Sequence, residues 1–474
     1  MWAGLHFVVS TDLEKPDANL RKLIRSHVMQ GKNRGKTHPH RARKRKGVLD
    51  APESLTCLEG PDSNASSSGV VLPILAPRRF GSELSTICFP DGVEPKTVEV
   101  VLQFSLIAKQ VLFALEPCIL FERRAEDWVA PLVVDPAFLH TMIFMAQYYF
   151  DVVVPGNSRS PQVSHRALPH FLRTVKLLRD RFDRGDDQAR LSFPTIAAIM
   201  GLAGHAHMTG DARSARNHMS GLHKITRLKG GVAAMRYNTK LLVDILRADL
   251  GIALHSGPKP AFFNDAHFPE PFPSYPDLTP LLNLQGPFAW HPSRHSLAPH
   301  VDGIDNELAQ AWRTMSEFCS IINFAVDSRQ LISTEGFLDT MAPVMYRLLD
   351  MAFEAGSSNE AIRLGLLAFS SSTFLQWKYL GGSYAYLSAA LRECLAKMAV
   401  LQLPPKLVVW LIMAGAVSVL GEGDDGWLKP LLLVNIGLCD ARSWGEMRDI
   451  LSSLMWIGML YDKAGKGLFD SIVS

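Results

Sequence analysis

Cysteine is scarce in this chain: Cys57, Cys88, Cys118, Cys319, Cys394 and Cys439 are the six in 474 residues, and no two form a Cys-x-x-Cys pair. Disulfide scaffolds and zinc clusters both need tighter clustering, so the expectation is reduced, mostly buried thiols in a reducing compartment. Long apolar runs are missing too. The longest, LVVWLIMAGAVSVL at 407–420, falls short of the roughly 18 residues a membrane span needs, and predicts a buried core helix instead. The first ten residues, MWAGLHFVVS, have no basic n-region and do not read as a secretory signal. Nor does the chain carry HExxH, GxSxG, GxxxxGK[ST] or a strand-linked GxGxxG. These gaps predict a soluble, intracellular protein that is not an enzyme, with no catalytic residue, no metal, no cofactor and no membrane partner.

Acidic residues are absent from one stretch in particular. Residues 21–46 hold eleven bases, Arg21, Lys22, Arg25, Lys32, Arg34, Lys36, Arg41, Arg43, Lys44, Arg45 and Lys46, and no Asp or Glu. The rest of the chain then carries 38 bases against 46 acids, a net of −8. A mildly acidic body with its positive charge gathered at one end is more informative than the overall pI. Three readings of the basic stretch stand side by side. Lys32, Arg34 and Lys36, a spacer, then Arg41, Arg43, Lys44, Arg45 and Lys46 have the two-cluster form that an import receptor reads. The same side chains can bind nucleic-acid phosphates by releasing counterions. A solvated, disordered tail is the plainest reading.

Residues 51–95 read as a linker, with the polar GPDSNASSSG followed by VVLPILAP, which can dock on the body. From about residue 96 the apolar residues recur at helical spacing almost to the end. In HMSGLHKITRLKGG, His218, Leu222, Ile225 and Leu228 are expected on one face, with Gly230 and Gly231 as the stop. In KLLVDILRADLGIAL, Leu242, Ile245, Leu246, Leu250 and Ala253 repeat the pattern, and Asp249 lies on or beside that face. A carboxylate there needs a partner, such as a basic side chain or the amide end of another helix. Ten prolines within 257–299 forbid regular helix, so 257–303 is expected to be a long irregular crossing. The His205–His207 pair is expected to pack at a helix end, and the acidic GEGDDGW at 421–427 to be a solvated turn rather than a calcium loop. The fold class this predicts is all-α: a large, irregular helical domain over 96–474, preceded by a disordered basic N-terminal segment over 1–50.

Three separated stretches resemble one family. FVVSTDLEKPDANLRKLIRSHVMQGKNR is similar to the N-terminal signature of fungal transcription factor-like proteins, matched at Phe7, Val8, Ile24, Arg25, Ser26, His27, Val28 and Met29. HMSGLHKITRLKGGVAAM with LLVDILRADLGIALHSGPKPAFF resembles the core of the fungal-specific transcription factor domain, at Leu228, Gly230, Gly231, Asp249 and Pro260, with Lys229 where Arg is usual. VVWLIMAGAVSVLGEGDDGWLKPLL resembles that family's late Trp-containing helix, with Trp410 and the following Trp427. The resemblance implies a helical regulatory domain in a nuclear transcriptional regulator, often one of metabolic or secondary-metabolite gene clusters. It implies an import receptor, DNA reached directly or through a DNA-binding partner protein, and a small-molecule effector as partners. One departure bears on DNA binding: the zinc binuclear cluster many relatives carry is not here, since Cys57 stands alone. The alternative from another class is a metabolic enzyme or small-ligand-binding protein on a helical scaffold.

Overall fold

The computed structural model describes residues 87–107, 113–115, 118–120, 128–153, 165–257, 259–262, 275, 278, 303–376, 384–397 and 403–473. All belong to one compact unit, Ile74–Ser474. The basic stretch 21–46, the Arg25–His27 element and nearly all of the Pro-rich 257–303 crossing lie outside the described residues.

Among the described residues the chain is all-α. The main helices are α1 (Pro95–Ile107), α2 (Pro136–Tyr148), α3 (Ala167–Asp183), α4 (Phe193–Met208), α5 (Ala212–Leu228), α6 (Thr239–Ser256) and α7 (Asn306–Ser328). They continue with α8 (Thr334–Asp350), α9 (Ser358–Ser370), α10 (Ala385–Ala396), α11 (Pro405–Ser418), α12 (Asp425–Leu438), α13 (Trp444–Ser452) and α14 (Gly458–Val473). Two dipeptides, β1 (Ile119–Leu120) and β2 (Ile332–Ser333), pair in parallel.

Local chemistry sets most helix starts. Side chains of Asp135, Ser192, Asp211, Asn238, Asp305, Ser333 and Ser357 each accept a hydrogen bond from an otherwise unpaired amide of the first turn. Ser443 and Glu446 form a reciprocal capping box on α13. After α5 the chain turns through Gly230 and Gly231, at φ 102° and 86°, a left-handed region where a Cβ is strained. The glycine stop is therefore as predicted.

α6 holds the fold together. It packs on α4 and α5 on the N-terminal side and on α8 and α10 on the C-terminal side. That position explains its burial on every face, from Leu241 to Leu254 with only Asp244 part-exposed. α11 is buried along nearly its whole length, as its apolar run predicts.

Three expectations need correction. Leu228 is 75% exposed, whereas Leu222 and Ile225 are buried with Ala215 and Met219. The 421–427 stretch is no freely solvated turn: Asp424 is buried, bound to the Arg392 guanidinium at 2.6 Å, and accepts from the Gly421 amide and the Trp427 indole. Of the described cysteines only Cys319 and Cys394 are buried, while Cys88 is exposed.

Candidate functional site

Asp249 meets the turn that follows Pro260. It lies in the middle of α6, 3% exposed. Its Oδ1 accepts from the amide of Ala261 at 2.9 Å, and its Oδ2 from the amide of Phe262 at 3.0 Å and the hydroxyl of Tyr346 at 2.9 Å. The carboxylate thus clamps the turn that follows Pro260 against α6 and ties both to α8. Its partners are two loop amides and a phenol, neither a basic side chain nor a helix end. Burial lifts its pKa to about 6, against the downward pull of the three donors. The same burial, together with the neighbouring carboxylate, pushes the Tyr346 phenol well above its usual range. With three of roughly four lone-pair directions occupied, Asp249 is a structural acceptor.

Two residues earlier on α6, Arg247 is 1% exposed. Its Nε donates to the Phe374 carbonyl at 2.6 Å, and its guanidinium lies 5.0, 5.5 and 5.7 Å from the ring centres of Phe113, Phe374 and Phe337. Ring faces carry negative potential, so this cage partly replaces the lost water.

A polar chain joins α2, α3 and the turn Pro90–Gly92. Asp91, at φ 55°, accepts from Arg173 Nε at 2.7 Å and from His140 Nε2 at 3.2 Å. His140 Nδ1 lies 2.7 Å from His170 Nδ1. Because His140 Nε2 faces a carboxylate, the proton assignment that satisfies both contacts has His140 Nε2–H donating to Asp91 and His170 Nδ1–H donating to His140 Nδ1. The Arg173 hydrogen bond holds the Asp91 carboxyl below its usual range. Burial lowers His140, and lowers His170 to about 4 with the neighbouring His140 adding to the effect, so both rings are neutral at pH 7. The pair can take up one proton and keep its mutual bond; a second would set two N–H groups against each other.

The His205–His207 pair does sit in the last turn of α4, as predicted. His205 packs edge-on against Phe144 and Tyr148, and His207 faces the His255 ring at 5.0 Å. Burial lowers both, His207 to about 4. Among the described residues no group of three or more His, Cys, Asp or Glu could hold a metal ion.

Trp410 is fully buried in α11. Its indole N–H donates to the Met455 carbonyl at 2.6 Å, and its ring lies 4.7 Å from Trp312. Gly365 lets α9 approach α11 closely, since a Cβ there would meet Leu411 Cδ2 and come within 3.2 Å of Trp410. Trp427, half-buried on α12, donates to Asp424 at 3.0 Å. Beside these residues an apolar groove of about 310 Å³ runs between Ala416, Val417, Leu420, Leu428, Ala464 and Leu468, with Asp425 at its edge. The structure therefore brings Asp249 and the Pro260 turn into one assembly and seats Trp410 in the core. Arg25, Ser26, His27 and the eight bases from Lys32 to Lys46 fall outside the described residues. Sequence reasoning missed the His140–His170 pair, whose members lie thirty positions apart with no shared motif.

Compared with protein-family models, curated proteins and solved structures, the chain matches none. No helix among the described residues is long and apolar enough to cross a membrane.

Proposed function

We propose that the chain is a nuclear regulator of transcription of the fungal transcription factor-like type. It acts through its helical domain on a metabolic or secondary-metabolite gene cluster, with the basic N-terminal stretch as its import address. The observation that carries this reading is where the family-like residues fall. Gly230 and Gly231 make the left-handed turn between α5 and α6. Asp249 clamps the turn after Pro260, and Trp410 anchors α11. Apart from Leu228, which is exposed, these residues hold the fold in place, which is what a shared domain architecture would require of them. The separation of a basic stretch from a net-acidic body adds support.

The experiment follows a tagged full-length chain in a fungal host and maps its chromatin occupancy, with and without residues 1–50. Site-restricted occupancy of the full chain is the expected result. Exclusion of the protein from chromatin under all conditions would sink the reading. Replacing Arg41, Arg43, Lys44, Arg45 and Lys46 with Ala should leave the protein outside the nucleus, and unchanged nuclear accumulation would remove the import role. A small-molecule effector belongs to the same proposal and rests on the resemblance alone.

A further inference from the structure

α5 carries a one-sided cationic face. From Ala212 to Leu228 it contains no Asp or Glu and no Phe, Tyr or Trp. At 100° per residue, Arg213, Arg216, Asn217, Ser220, Lys224 and Arg227 fall within a single outward arc, and all six are exposed. Ala215, Met219, Leu222 and Ile225 occupy the opposite side, buried against α4 and α6. Arg213, Arg216 and Lys224 make no ion pair with any described residue. Arg213, Arg216 and Lys224 share one stripe and repel each other, and the usual device for relieving that, an acid at i+4 within the helix, is missing.

We infer that this face of α5 is a binding surface for duplex DNA, contacting the phosphate backbone through Arg213, Arg216, Lys224 and Arg227. Asn217 and Ser220 lie between them as neutral hydrogen-bonding groups. From Arg213 to Arg227 the stripe runs about 21 Å, long enough to follow several phosphates along a groove edge. The composition argues against other polyanions. Single-stranded RNA is held by bases stacked on aromatic rings, and α5 has none. A membrane-surface helix needs its apolar face free to enter lipid, and that of α5 is in the core. The inference rests on the regulator reading and supplies the DNA contact that the isolated Cys57 leaves without a zinc cluster.

The test measures binding of the purified full chain to a fluorescent DNA duplex across a salt series. It compares the wild type, the stripe variant Arg213→Gln/Arg216→Gln/Lys224→Gln/Arg227→Gln, and the tail variant with Arg41, Arg43, Lys44, Arg45 and Lys46 changed to Gln. The stripe variant should bind at least about tenfold more weakly near 0.1 M salt, and its log K against log salt slope should flatten by about 3 to 4. The added-charge variant Ser220→Lys should steepen the slope by about 1, which keeps the test decisive if the fourfold variant misfolds. Three outcomes overturn the inference: no DNA binding by the wild type at low salt, slopes unmoved by both α5 variants, or tighter α5-dependent binding to duplex RNA or anionic vesicles. Chromatin occupancy that survives the stripe variant, with an unchanged slope, removes the α5 surface and leaves the regulator reading standing. A purified chain that binds DNA through α5, yet never occupies chromatin, does the reverse.

Discussion

α5 and α6 follow each other in the chain, have nearly the same length, and treat charge in opposite ways. Every charged side chain of α5 faces water, and its apolar residues other than the exposed Leu228 close on a single side. α6 is buried all round and carries Arg247 and Asp249 into that burial. The difference lies in where the partners come from. α5 needs only neighbours on one side, so its own periodicity determines which residues are inside. α6 takes one partner locally, Asp244, 3.5 Å from Arg247, and draws the rest of its compensation from Ala261, Phe262, Tyr346 and Phe374, up to 127 residues away. A charge in an apolar helix thus marks either a solvent edge or a fully satisfied interior group, and the helix alone cannot distinguish them.

The largest effect should come from Asp249→Asn. The amide nitrogen of Asn donates, so at least one of the three donors aimed at this site loses its acceptor, at a cost of about 3 kcal/mol. Urea unfolding should show the midpoint fall with an unchanged slope, and Tyr346→Phe should cost only about 1 kcal/mol by comparison. An Asn variant as stable as the wild type would erase the distinction between α5 and α6. Arg247→Lys comes next, at about 2 kcal/mol, because an ammonium lacks the planar fork that meets both a carbonyl and three ring faces. A melting-temperature series on Arg247→Lys and Arg247→Met reports it, and equal losses would mean the cage recognises shape rather than charge.

Acid titration sharpens the same contrast. His170 and His207 have native pKa values near 4 against 6.5 for an ordinary histidine, so the unfolded chain binds more protons and stability is lost as pH falls from about 6.5 to 4. Asp249 has the opposite sign. Its native pKa of about 6 lies above 3.8, so the native state takes up that proton first and stability is gained as pH falls through this window. Wild-type acid destabilisation is therefore partly offset, and Asp249→Asn should lose stability more steeply between pH 6 and 4 than the wild type does. Parallel profiles, from unfolding midpoints across that range, would show that Asp249 stays ionised. The smallest effect belongs to α5: Leu228→Gln should change stability by less than about 0.5 kcal/mol, because the side chain already faces water.

How much was legible in advance follows the same division. The all-α class, the glycine stop after α5 and the burial of 407–420 follow from local pattern. Leu228 was misplaced because each i+3 step falls about 60° short of a full turn. Two such steps from Leu222 carry the side chain out of the buried arc. Asp424 looked solvated because its partner Arg392 lies 32 positions earlier, in another helix. The carboxylate clamp was foreseen as a need, and only its donors could not be named. His140 and His170 gave no local signal, since a ring–ring hydrogen bond depends on how α2 and α3 pack.

The two-residue pairing of β1 with β2 has a consequence in time. Thr334, next to β2, donates to the Leu120 carbonyl across 214 positions, and the Leu115 amide reaches Gln376 across 261. A ribosome adding about 5–20 residues per second needs roughly 10–50 s to deliver those later partners. For part of that interval α6 has left the ribosome with the apolar faces that α8 and α10 cover still exposed. The nascent first half must then be sheltered by a chaperone or held in a provisional collapse.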